Sequence, residues 1–144
     1  MAHENSHDLE RFLAAQENVY DQAQAELRAG KKRSHWMWFI FPQIQGLGSS
    51  EMAERYAISS LEEAKAYLEH PILGTRLREC TGIVLNLEGK TAIEIFGYPD
   101  DLKFHSSMTL FAHAASMSEE DLIFSRALDK YFVGKEDAAT ITWI

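Results

Sequence analysis

The chain has 144 residues, 46% of them apolar and 25% charged, with a formal charge of −8 and a pI near 5.2. That size and balance suit one soluble domain whose core needs neither metal nor disulfide, and the acidity argues against a nucleic-acid binder that works by bulk phosphate neutralisation. The single cysteine, Cys80, excludes an intrachain disulfide framework and a multi-cysteine zinc site.

The start of the chain satisfies H-E-x-x-H on paper, as His3-Glu4-Asn5-Ser6-His7. Zinc chemistry needs that motif inside an anchored helix with a third ligand, whereas here it precedes a candidate N-cap at Ser6. Residues 1–6 therefore read as a flexible tail, and no metal site or cofactor is expected. The same stretch lacks the basic and apolar regions of a signal peptide, so the expected location is cytoplasmic.

Glycine and proline are sparse and valine is scarce, while alanine, leucine and glutamate are abundant, which favours helix. Leu9, Phe12, Leu13, Gln16, Val19, Tyr20, Ala23 and Leu27 recur at three- and four-residue steps, predicting one helix that stops at Gly30. After the basic run Lys31-Lys32-Arg33 comes the block Trp36-Met37-Trp38-Phe39-Ile40-Phe41, read as a short buried helix capped by Ser34 and ended by Pro42. No residue from Ser34 to Ser50 carries a full charge, but Pro42, Gln43, Gln45, Gly46 and Gly48 interrupt it, so it fails as a membrane span. The Gly46-Leu47-Gly48 turn precedes a helix beginning near Glu51, whose N-terminus could hold an anion.

Ser59 or Ser60 with Glu62 or Glu63 forms a capping-box pattern for a helix through Leu68, broken at His70-Pro71. Leu73, Leu77, Cys80, Val84 and Leu87 then step 4-3-4-3 along one buried stripe. Gly89 stops that helix, and Thr91 can cap a short turn through Phe96 before the Gly97-Tyr98-Pro99 break. Further helices follow Asp100, start at Ser118 with Asp121, and follow Asp137. The whole reads as an all-α single domain, residues 1–144, of six or seven helices around one core.

Two partial motifs fail on spacing. Gly89-Lys90-Thr91 resembles the end of a P-loop, but Val84 stands where the leading glycine belongs, and the preceding segment is helical. Gly46 and Gly48 supply two glycines of a dinucleotide fingerprint without the third and without a βαβ unit. No G-x-S-x-G elbow exists, and Cys80 sits mid-seam, where a thiol is inert.

Two stretches set polar groups among aromatics without an obvious structural need. Ser34 to Gly48 holds His35, Trp36, Trp38 and Gln43, followed by glycines that permit close backbone approach. Asp100 to Phe111 holds Asp101 and His105 four apart, and Lys103 and Ser106 three apart, on neighbouring strips of one helix. The structural alternative is that Trp36 and Trp38 are core, that His35 caps a helix end, and that Asp100 or Asp101 caps the next.

At these residues the sequence resembles a bacterial domain-of-unknown-function family, numbered 1810 and often labelled calpastatin. The resemblance runs almost end to end. It is carried by Ser34 to Gln43, Gly46-Leu47-Gly48, Phe96-Gly97, Asp100 to Lys103, and Ser106 to Phe111. It implies a mainly helical fold and brings no established activity, cofactor or catalytic residue. Calpain inhibitors of that name are disordered repeat proteins, whereas this chain has no repeats and ample core residues.

The leading expectation is a pocket for a small anionic or nucleotide-like ligand, formed where the two stretches meet. Trp36 and Trp38 would stack the flat part, and Gln43, Gly46, Gly48, Asp100, Lys103 and Ser106 would hold the polar part. His35 or His105 would move protons if the protein is a hydrolase or transferase. The rival is a non-catalytic protein-protein interaction module with exposed aromatics. Neither nucleic acid nor membrane is an expected partner.

Overall fold

The computed structural model describes residues 8–116 and 118–144, so the H-E-x-x-H run, the expected tail and the Ser6 cap lie outside the described residues. Within them the chain is all-helical, with ten α-helices where six or seven were predicted. In chain order these are α1 (Glu10–Gln16), α2 (Tyr20–Arg28), α3 (Met37–Ile40), α4 (Glu51–Arg55) and α5 (Leu61–Glu69). There follow α6 (Leu73–Asn86), α7 (Ala92–Phe96), α8 (Asp100–Ala114), α9 (Ile123–Phe132) and α10 (Ala138–Trp143), with a 3₁₀ turn over Glu119–Leu122. No described helix is long and apolar enough to cross a membrane.

The extra count comes partly from the first predicted helix, which divides into α1 and α2 around residues 17–19. The division lets Phe12 and Gln16 face α3 while Ala23 and Leu27 face α6. One straight rod carrying all four would serve only one of those neighbours. Gln16 is buried: its amide donates to the Phe39 carbonyl at 2.7 Å and the Tyr67 hydroxyl at 3.1 Å, and accepts from Arg76 at 3.2 Å.

α8 is the central element, packed against α5, α7, α9 and α10. Its Phe104 and the run Ser106–Phe111 are buried, as expected of a helix with apolar residues all round. α9 is one-sided instead, with Phe124, Ala127 and Leu128 inward and Arg126, Asp129 and Lys130 outward. On α6, Leu73, Leu77, Cys80 and Val84 form the predicted buried stripe, while Leu87, its expected last member, lies past the helix end at Asn86 and is half-buried. Burial pushes the Cys80 thiol up to about 12, so it stays protonated and unreactive.

Caps follow local chemistry where the side chain has no better offer. Ser60 accepts from the Glu63 amide, and Thr91 and Glu94 close a full capping box. Asp137 caps α10. Ser34 does not cap α3, because its hydroxyl is drawn to Glu26. Ser118 makes no cap bond either. The Asp121 carboxylate nearby takes the Arg78 guanidinium at 2.7 Å and the Ser116 hydroxyl at 3.0 Å. Burial alone would raise its pKa, but those bonds hold it below the usual carboxylate range.

Candidate ligand-binding cleft

The Trp-rich block is held in place by one carboxylate. Glu26, near the end of α2, accepts from the Arg33 amide at 2.7 Å, the Ser34 amide at 3.0 Å, the Ser34 hydroxyl at 2.5 Å and the Trp36 indole at 2.8 Å. Burial opposes its charge, but these donors outweigh that penalty and hold its pKa at about 2. Ser34 and Trp36 therefore turn inward. His35, between them, is exposed and lines no part of the cleft described below.

Trp36 is fully buried, with Lys32 Nζ 5.2 Å from its ring centroid. Trp38, two residues on, is half-buried, and Lys103 Nζ lies 4.5 Å from its ring. Beyond the buried Pro42, the loop is fixed by a parallel bridge between Ile44 and Ile58. The Gln45 amide donates to Ile58 O and the Ile58 amide to Gln43 O, both at 2.8 Å.

The loop glycines are needed by the chain itself. Gly46 has φ +94°, and a Cβ there would stand 2.5 Å from the Trp143 ring. The close approach expected of a ligand is made at Gly46 by the protein's own α10. A Cβ on Gly48 would meet Ala53 at 2.7 Å. The N-terminus of α4, the expected anion site, is already capped by Ser50, with Glu51 and Glu54 in its first turn.

The opposite wall comes from α8 and the approach to α10. Asp100 bridges Lys32 at 2.8 Å and Lys103 at 3.2 Å, so two ammonium groups share one carboxylate. The predicted Asp101–His105 pairing is not formed. His105 Nε2 donates to the Lys135 carbonyl at 2.7 Å, and its ring stacks on Phe132 at 4.0 Å. A carbonyl can only accept, so Nε2 carries a proton, and in the neutral ring the lone pair is on Nδ1. The Ser106 hydroxyl lies 2.9 Å from Asp137 Oδ2, an oxygen that also receives the Thr140 amide and hydroxyl. With His105 turned to Lys135, no Ser-His-Asp relay exists here.

These walls enclose a cleft of about 510 Å³. It brings together six predicted site residues: Trp38, Gln43, Gly48, Lys103, His105 and Ser106. Asp100 stands behind Lys103, and Gly46 lines a recess of about 10 Å³ shared with Trp38, Gln43 and Lys103. Trp36 and His35 are not part of it. Leu47, Ser49 and Ser50 of the expected Gly46–Ser50 turn also line it, and sequence reasoning missed Ala53, Pro99, Leu102, Asp137 and Ala139, which complete the lining. Only Asp137 had left a signal, as the cap of a last helix. Among the described residues no group of three or more His, Cys, Asp or Glu is placed to hold a metal ion.

The profile of a family described as a protein of unknown function, DUF1810, matches residues 6–144. The chain belongs to that family. A solved structure similar to this DUF1810 chain is the conserved hypothetical protein Rv1873 from Mycobacterium tuberculosis. It is 56% identical over 96% of each chain, with a TM-score of 0.91. No curated protein matches the chain.

Proposed function

We propose that the cleft binds a small anionic, nucleotide-like molecule. The observation that carries this reading is the convergence on one 510 Å³ cleft of an indole, an ammonium, an imidazole and a carboxamide from Trp38, Lys103, His105 and Gln43. Small-molecule sites have this volume range and this mixture of apolar wall with a few polar groups. Lys103 supplies the attraction for an anion: its one carboxylate partner, Asp100, is shared with Lys32, so the triad carries a net positive charge. Should the bound molecule react, in a hydrolase or transferase step, His105 is the group with a free lone pair to take a proton.

Thermal-shift measurements against nucleotides, ADP-ribose-type compounds and sugar phosphates test the reading, because ligand binding to the folded state raises the melting point. Lys103→Ala and His105→Ala should each abolish the shift and leave the unliganded melting point within a few degrees of the parent. No stabilisation across the panel would overturn it. A second reading, a non-catalytic protein-protein interaction surface, is favoured by exposed apolar groups at the rim: Leu102 in the cleft wall, Tyr98 beside Pro99, and Trp143 over Gly46.

A further inference from the structure

From the hydrogen-bond inventory of the cleft we infer that its ligand is a hydroxylated anion, a sugar phosphate or the ribose phosphate part of a nucleotide. Its anionic group sits at Lys103 and its hydroxyls sit at Asp137. This rests on the reading that the cleft binds an anion and adds the chemistry of the other end.

Besides the exposed Ser49 hydroxyl, three side-chain groups on cleft-lining residues have no partner among the described residues and are not sealed from solvent. The first is Asp137 Oδ1, whose sister oxygen Oδ2 takes the Ser106 hydroxyl and both donors of Thr140. The second is His105 Nδ1, left as an acceptor once Nε2 donates to Lys135. The third is the Gln43 carboxamide, which both donates and accepts. Two of the three can only accept while His105 is neutral, so the ligand must bring donors to that end.

The spacing of the two ends follows from α8. Lys103 and Ser106 are one turn apart, about 5–6 Å between Cβ atoms, and the Asp137 carboxylate is 2.9 Å from the Ser106 hydroxyl. A five- or six-carbon sugar phosphate spans that distance. An ammonium would also pair with the free Asp137 oxygen, but it has no face to lay on Trp38, whereas a hydroxylated ring meets both. Trp38 offers an apolar wall for the C–H face of a sugar ring, and neither Asp100 nor Asp101 is among the lining residues.

Titration calorimetry on the full chain separates the parts, with ribose 5-phosphate, propyl phosphate and O-phosphoethanolamine as probes. The parent protein should bind ribose 5-phosphate at least tenfold more tightly than either other probe. Asp137→Asn keeps an acceptor for the α10 cap, since Asn caps as well as Asp, and puts an NH₂ where Oδ1 was. It should erase the tenfold preference without weakening propyl phosphate binding, since it removes a negative charge from the cleft, whereas Lys103→Ala should weaken all three alike. Equal affinity for ribose 5-phosphate and propyl phosphate, or tighter binding of O-phosphoethanolamine, overturns the hydroxyl inference and leaves the anion reading standing. If none of the three binds, both fall. An Asp137→Asn melting point several degrees below the parent would disqualify that variant, and Asp137→Glu, expected to misplace the free oxygen and lose the preference, takes its place.

Discussion

Trp36 and Trp38 lie two residues apart in the same apolar block, yet the fold treats them oppositely. Trp36 is sealed in the core, its indole N–H bonded to Glu26 at 2.8 Å. Trp38 is half-buried on the cleft, and its indole N–H is buried without a partner. Leaving such a donor unbonded costs about 1–3 kcal/mol. Lysines approach both rings, but Lys32 is itself nearly buried, at 9% side-chain exposure, while Lys103 retains 25% and lines the cleft. The first tryptophan is fixed by everything around it. The second carries polar costs that packing leaves uncompensated, which is the signature of a surface kept for something else.

The largest effect should come from truncating the two rings. Trp36→Ala removes a fully enclosed side chain and one of the donors to Glu26, so unfolding free energy should fall by about 3–5 kcal/mol. Trp38→Ala removes a partly solvated ring and an unbonded donor, and should cost less than about 2 kcal/mol. Denaturant titration of both variants measures the gap. Equal losses would erase the distinction between a structural and an available tryptophan.

Next in size is the charge that anchors the Trp36 side. Glu26 has a folded-state pKa of about 2 against an ordinary value of 4.5. A depressed carboxylate contributes stability that is complete above the unfolded-state value and is lost as pH falls toward the folded-state value. Stability should therefore drop between about pH 4.5 and pH 2 on this group's account. Glu26→Gln should lose about 2 kcal/mol at pH 7, from weakened charge-assisted bonds, and the difference from the parent should shrink toward zero near pH 2. A difference independent of pH over that window would mean that Glu26 acts through shape rather than charge.

What could be read in the sequence follows the range of the interaction. The Thr91 cap, a cap at Ser59 or Ser60 and the Leu73–Val84 seam depend on residues within a turn or two, and all were legible. The α1–α2 division was not, since Glu17-Asn18-Val19 contains neither glycine nor proline. Its cause is tertiary: α3 and α6 draw the two halves to different neighbours. Glu26 carries no local mark of its role, because its donors arrive from a turn seven to ten residues downstream. The site divides the same way. Lys103, His105 and Ser106 were visible on two strips of one helix, whereas Asp137 reaches Ser106 across 31 residues and Trp143 reaches Gly46 across 97, distances over which spacing carries no information.

The smallest effect probes the open side of the comparison. Val133 is 86% exposed and adopts φ +56°, ψ +35°, a left-handed conformation that costs an L residue about 1–2 kcal/mol and suits a β-branched one least. It is the only described non-glycine residue with positive φ. Together with Gly134, at φ +73°, it turns the chain after α9 so that the Lys135 carbonyl meets His105 Nε2. The strain is therefore spent on orienting a cleft imidazole, and nothing comparable stands behind Trp36. Asn tolerates this conformation and, unlike Gly, adds little freedom to the unfolded chain. Val133→Asn should thus stabilise the protein by about 0.5–1 kcal/mol, a rise of roughly 2–4 °C in Tm, with the His105–Lys135 bond intact by the imidazole ¹⁵N shifts. A lower Tm would show that the exposed valine contributes packing that outweighs its backbone, and the strain argument for the His105 side would fail.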